Sequence, residues 1–151
     1  MKFHSNLINA VVKGLNETLL LNKQADTTVE HILQSNKGWG SRDRAFIADN
    51  IYTIVRYKRL YEYCCETTVT DDKALIKLLG AKLILQGIEL PDWEEFKAID
   101  AKKVLARKEE AESITKIKES VPDWLDELGS QQMGTNWPAE IQALNQPAKF
   151  S

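Results

Sequence analysis

Residues 41–66 of the chain read SRDRAFIADNIYTIVRYKRLYEYCCE. Within this stretch Ile47, Ile51 and Ile54 recur at intervals of four and three residues, which is typical of an α-helix with one apolar face. A second apolar strip, which includes Phe46 and Leu60, runs along nearly the opposite side of the same helix. We therefore expect one long helix from residue 42 to about residue 66 that packs on two sides inside a helical bundle.

The segments around this helix also carry helical patterns. Residues 74–88 are apolar nearly all round, which predicts a second, central helix. Ser41 is expected to cap the start of the long helix, because serine is favoured at that position. Further helices are expected from residue 7, after Thr27, and over 100–119. Two short helices are expected over 122–128 and 136–144, separated by Gly129 and Gly134. No segment shows convincing alternation of apolar and polar residues over strand length, so the predicted fold class is all-α.

The predicted bundle divides into three parts. Residues 1–99 form the helical core, residues 100–120 an amphipathic connecting helix, and residues 121–151 a short helical extension. The 151 residues carry a net charge of −2. That balance argues against a strongly basic protein that wraps DNA, and no DNA partner is expected. No apolar run approaches 18 residues and no signal pattern is present, so we expect a cytoplasmic protein without a membrane partner.

The sequence shows no recognisable catalytic or metal-binding pattern. Its seven glycines form neither a dinucleotide fingerprint nor a phosphate loop. His4 and His31 have no further ligands at metal-binding spacing. Cys64 and Cys65 are expected in a buried helix, where cysteine behaves as a small apolar residue. We therefore predict no catalytic residues, no metal site and no cofactor bound by this chain, and a stand-alone enzyme is the least favoured reading.

One group of cations suggests a binding surface. It surrounds the Gly38–Trp39–Gly40 loop and the long helix and comprises Lys37, Arg42, Arg44, Arg56, Lys58 and Arg59. Guanidinium groups can bind phosphates, and the interspersed Trp39, Tyr52 and Tyr57 could stack on unpaired bases. Alternatively, the arginines pair with surface carboxylates and the aromatic rings fill the core. A second basic group is interspersed with acids and is expected to form a salt-bridged face; it comprises Lys97, Lys102, Lys103, Arg107 and Lys108.

Two segments resemble a known family. Residues 41–56 are similar to the central helix of NusB-like domains, in which a Ser-x-x-Asp/Arg-Arg-x-Phe start leads into a long apolar helix that ends in arginine. Residues 74–88 resemble the next helix of that family. The residues Val121-Pro122-Asp123-Trp124-Leu125, followed by Ala143-Leu144-Asn145-Gln146-Pro147, resemble the junction between the NusB-like domain and the catalytic domain in Sun-type RNA cytosine-5 methyltransferases.

The resemblance implies an N-terminal module of an rRNA methyltransferase. In that family a Rossmann-like catalytic domain, which uses S-adenosylmethionine, follows the junction, so a strand of that domain is expected after Ser151. The family's catalytic cysteines stand in Pro-Cys and Thr-Cys motifs, which Cys64 and Cys65 do not match. NusB itself has a basic N-terminal RNA-binding region, whereas residues 1–20 contain only Lys2 and Lys13 as basic side chains. The expected partners are rRNA, bound weakly, and the protein's own C-terminal catalytic domain.

Two functions therefore remain open. In the first, the chain is a non-catalytic domain that binds and positions rRNA through the six cations. In the second, it is a protein-interaction module that docks on its catalytic domain, on a ribosomal protein or on a second copy of itself. Its surface would then be the helix at residues 101–118 and the short terminal helices, with exposed Trp124 and Trp137 as anchor residues.

Overall fold

The computed structural model describes residues 4–145, and the fold of this part of the chain is all-α, as expected. None of its helices is long and apolar enough to cross a membrane. Short π-helical and 3-10 turns occur at Asn16–Leu20, Glu94–Phe96 and Gly134–Asn136. Within the described range the α-helices are α1 Ser5–Leu15, α2 Ala25–Ser35, α3 Ser41–Arg56, α4 Lys58–Cys64, α5 Asp72–Leu85, α6 Ala101–Ala111, α7 Thr115–Lys118, α8 Asp123–Met133 and α9 Trp137–Leu144.

Helix α5 is the central helix that the sequence predicts. Four of its leucines, Leu75, Leu78, Leu79 and Leu83, are fully buried, and α1, α3, α4 and α6 pack around it. The helix ends before residue 88 because Gly87 adopts a left-handed conformation with φ of 79°. The N–H of Gly87 then bonds to the carbonyl of Ile84, and the next N–H bonds to Leu83. This is a Schellman ending, for which glycine is the favoured residue.

The prediction of one long helix over residues 42–66 is wrong, because two helices, α3 and α4, cover this stretch. It divides at Tyr57, whose φ of −109° and ψ of 30° lie outside helical values. On either side of this break, Leu60 and Cys64 of α4 lie in the same core as Ile51 of α3. The start also differs by one residue, because Gly40 is the N-cap and no side chain caps the helix.

The expected helix over residues 100–119 is likewise divided. Asp100 caps α6 by accepting hydrogen bonds from the N–H groups of Lys102 and Lys103, and α7 forms only after a turn. Val104 and Ile117 are both buried in the main core. The division of the chain into three parts, with boundaries after residues 99 and 120, stays a prediction. Residues 146–151, the end of the expected third part, lie outside the described residues.

The last two helices form a helical hairpin with its own small core. This C-terminal hairpin, residues 119–145, buries Val121, Trp137 and Ile141 against one another. Gly129, expected to separate two short helices, lies inside α8 instead. A Cβ atom at Gly129 would lie 2.3 Å from the Trp137 ring. Glycine is therefore present because the indole packs directly on the helix backbone.

Candidate nucleic-acid interface

The six predicted RNA-contacting cations do not form one cluster. Lys37, Arg42 and Arg44 lie at the start of α3, and Arg56, Lys58 and Arg59 lie where α3 ends and α4 begins. Twelve residues separate Arg44 from Arg56, which places their backbones about 18 Å apart along the helix axis. The structure thus divides the predicted site into two groups at opposite ends of one helix.

The first group, Lys37, Arg42 and Arg44, is called the loop-end cations. Lys37 and Arg42 are exposed, and neither forms an ion pair or hydrogen bond with a side chain among residues 4–145. Arg44 is half-buried and donates from Nη1 to the backbone carbonyl of Leu33, 3.1 Å away. This bond joins α2 to α3 and leaves the guanidinium without a carboxylate partner in the described part of the chain.

The loop before α3 holds Trp39 against the core. Asn36 shapes the loop, because its Oδ1 accepts a 2.9 Å hydrogen bond from the N–H of Gly38. Trp39 packs on the core as a half-buried ring, and its buried Nε1 has no hydrogen-bond partner in the described part of the chain. The ring therefore belongs mainly to the fold, which favours the structural alternative that the sequence left open for this residue.

The other two aromatic residues of the predicted site are also engaged. The hydroxyl of Tyr52 donates to Asp26 at 2.7 Å, and this hydrogen bond raises the pKa of Tyr52. Tyr57 lies beneath the guanidinium of Arg56, whose Cζ is 4.9 Å from the ring centroid. Neither ring is placed beside the loop-end cations as a separate platform for bases.

The cations at the other end of α3 hold the C-terminal hairpin. Arg59 donates from Nη1 to the carbonyl of Val121 and from Nη2 to Asp123, both at 2.7 Å. Arg56 donates to the carbonyl of Ser120 at 3.2 Å and to the side chain of Asn145. We call Arg56 and Arg59 the anchoring arginines. The lysine between them, Lys58, forms an exposed ion pair with Glu62 at 3.6 Å.

A second set of polar contacts fixes the chain at the base of the hairpin. Ser120 has a φ of 53°, and its Oγ accepts a hydrogen bond from the backbone N–H of Arg59 at 3.1 Å. Asn145 donates from Nδ2 to the buried carboxylate of Glu119 at 2.7 Å. Arg59 and Lys116 lower the pKa of Asp123 by hydrogen bonding to its carboxylate. The base of the hairpin is therefore a continuous polar network.

A buried lysine lies between α3 and α5, in a helix that the sequence presents as apolar nearly all round. Lys82 is only 3% exposed. Its Nζ donates to Asp49 at 2.8 Å, to Asn50 at 2.9 Å and to Gln86 at 3.3 Å. A charge this deep requires such partners, because removing an unpaired ammonium from water is very costly. The sequence signal is a lysine within a largely apolar run, although Lys77 interrupts the same run.

The second basic group forms the salt-bridged face that the sequence predicts. Lys103 and Arg107 both pair with Glu66, at 2.6 and 3.0 Å. Lys97 pairs with Glu94 at 3.1 Å, and Lys108 pairs with Glu112 one turn along the helix. Four of the five cations are thus neutralised by carboxylates, and only Lys102 forms no ion pair in the described part of the chain. The group is therefore a poor candidate for binding phosphates.

Residues 4–145 contain no group of histidine, cysteine and acidic side chains arranged to hold a metal ion. Burial raises the pKa of Cys64 to about 11 and that of Cys65 to about 12. Both cysteines are therefore protonated thiols at neutral pH, a form that is weakly nucleophilic. Comparison of the chain with protein-family models, curated proteins and solved structures finds no match.

Proposed function

We propose that this chain is a non-catalytic, cytoplasmic RNA-binding module that positions rRNA for a cytosine-5 methyltransferase domain. The proposal rests on the sequence resemblance to NusB-like domains and to the Sun-type junction, together with the exposed cations at the start of α3. S-adenosylmethionine would bind to the catalytic domain and not to residues of this chain. The catalytic domain would follow the C-terminal hairpin in the same protein.

The observation that supports RNA binding best is the state of Lys37 and Arg42. Both are exposed and lack a carboxylate partner in the described structure, so a phosphate can approach them without first breaking an ion pair. The anchoring arginines differ, because each uses both terminal nitrogens to bind oxygens of the hairpin that a phosphate would have to displace. Arg44 donates only from Nη1, to one carbonyl. We therefore place the RNA contacts at the loop-end cations and not at Arg56 and Arg59.

The number of available cations sets the expected affinity. Three phosphate contacts, one for each loop-end cation, give a slope of about −2 for the logarithm of the binding constant against the logarithm of salt concentration. Affinity for single-stranded RNA should then fall roughly 20-fold between 50 and 200 mM salt. Binding by this module alone is therefore weak at physiological salt, and a catalytic domain would have to add contacts of its own.

The test compares two double variants that remove the same charge. Lys37→Ala with Arg42→Ala should weaken binding of a labelled single-stranded rRNA fragment and reduce the salt slope by roughly 1.4. The control is Lys13→Ala with Lys102→Ala, since both lysines are exposed and without ion pairs in the described structure. Equal weakening by both double variants would mean that only net charge matters, and no weakening by the first would reject the assigned site.

A further inference from the structure

The C-terminal hairpin differs from the rest of the chain in charge. All 20 lysines and arginines lie outside residues 119–145, as do both histidines. The hairpin therefore carries a charge of −5, while the remainder of the chain carries +3. The five acids of the hairpin are Glu119, Asp123, Asp126, Glu127 and Glu140. A surface of this sign repels nucleic acids and attracts cationic partners.

The outer face of α8 is apolar as well as surrounded by acids. Trp124 is 65% exposed and Leu128 is 42% exposed, and side chains four residues apart lie next to each other on one side of a helix. Leu125 and Gly129, about 100° further around α8, face Trp137 and the small core. The inner face thus completes the hairpin, and Trp124 and Leu128 are not needed for it.

The acids around this apolar pair divide into engaged and available carboxylates. Asp123 is paired with Arg59 and Lys116, and Asp126 accepts a 2.9 Å hydrogen bond from the indole N–H of Trp137. Glu127 is exposed and forms no ion pair or hydrogen bond within residues 4–145. Glu127 is therefore the carboxylate next to Trp124 and Leu128 that can meet a cation from outside.

We infer that the outer face of α8 is a docking surface for a protein groove that is apolar at its centre and lined with lysine or arginine at its rim. A large aromatic anchor is the usual centre of a specific protein contact, and a neighbouring charge such as that of Glu127 selects a partner of opposite charge. The anchoring arginines hold the hairpin in place, so the face is preorganised. This inference does not rest on RNA binding and assigns the hairpin a separate role.

Charge also argues against two other partners for this face, a second copy of the chain and an RNA strand. A symmetric contact between two copies would place Glu127 near its own equivalent, because the same patch faces itself across a two-fold axis. An RNA strand would bring its phosphates toward the C-terminal hairpin, which contains five acidic residues and no lysine, arginine or histidine. A basic protein surface is the one that gains electrostatic energy from the approach, and it covers the exposed indole as well.

The test uses a defined probe, a labelled helical peptide with leucine on one face and lysine on the other. Fluorescence anisotropy should show saturable binding that weakens as salt is added. Trp124→Ala should reduce the affinity about tenfold or more, as for an anchor residue, and Leu128→Ala should reduce it less. Glu127→Lys should weaken binding further through charge repulsion.

Matched controls separate this face from general attraction to an acidic protein. Leu105→Ala removes an exposed leucine on α6, and Glu89→Lys reverses an exposed charge elsewhere; both variants should bind the peptide as wild type does. RNA affinity should be unchanged by Trp124→Ala. The inference is overturned if wild type does not bind the peptide, or if Trp124→Ala and Glu127→Lys bind it as tightly as the two controls do.

Discussion

Replacing Arg59 with alanine should detach the C-terminal hairpin from the bundle. The side chain bonds to two acceptors, the carbonyl of Val121 and the carboxylate of Asp123. The ion pair to Asp123 is exposed and screened, so it contributes little. The bond to the carbonyl, made by a charged donor that is about one-third exposed, falls at the lower end of the range for such bonds, about 1.5 kcal/mol.

Such a loss raises the opening equilibrium of the hairpin roughly tenfold. The core of the hairpin, formed by Val121, Trp137 and Ile141, is too small to keep the hairpin folded once it is detached. Opening therefore exposes the backbone amides of the hairpin. Native-state hydrogen exchange should therefore be about ten times faster in α8 and α9 for Arg59→Ala, with no change in α5. Arg42→Ala, which removes an exposed side chain without bonds in the described structure, should leave both regions unchanged.

Two results would contradict this reasoning. If Arg59→Ala leaves exchange in α8 and α9 at the wild-type rate, the anchoring bonds do not hold the hairpin. If the variant loses RNA affinity while hydrogen exchange stays unchanged, Arg59 contacts a phosphate. The proposal that only the loop-end cations bind RNA is then wrong.

Three further changes test the packing and the buried charges. Gly129→Ala should destabilise the hairpin selectively, since its Cβ would overlap the ring of Trp137, and hydrogen exchange in α8 and α9 measures this. Lys82→Met should lower the free energy of unfolding by about 1–3 kcal/mol because Asn50 loses a buried donor, and adding Asn50→Leu should recover part of that loss in denaturant melts. The pKa of Asp123 is lower in the folded state than in the unfolded state. Its carboxylate therefore stabilises the fold above the unfolded pKa of about 3.9, and this stabilisation is lost as the pH falls through the folded pKa. The difference in Tm between wild type and Asp123→Asn should therefore disappear in acid.

The parts of the fold that depend on local pattern could be predicted from the sequence. Periodicity and the absence of strand alternation predicted the all-α class, and the apolar run around Leu79 predicted a central helix. The break at Tyr57 could not be predicted in this way, because the apolar pattern continues through it. Gly129 was misinterpreted as a helix end because only the distant Trp137 explains why a glycine is required inside α8.

The same distinction between local pattern and distant contacts applies to the candidate site. Residue type and local spacing selected six cations, among which the structure shows Lys37 and Arg42 to be exposed. They could not show that Arg56 and Arg59 bond to a segment more than 60 residues later in the chain. The buried position of Trp137 corrects its expected role as an exposed anchor, whereas Trp124 is exposed as expected. A side chain's partner across the fold is set by tertiary packing, which no local pattern contains.

The C-terminal hairpin, which contains five acids and no lysine, arginine or histidine, is bonded at the end of α3. The loop that contains Lys37 precedes the start of the same helix. If RNA binds as proposed, repulsion between its phosphates and the acidic hairpin would favour an approach with the loop facing the strand. The hairpin would then lie away from the nucleic acid, where a protein partner could reach it without competing for space.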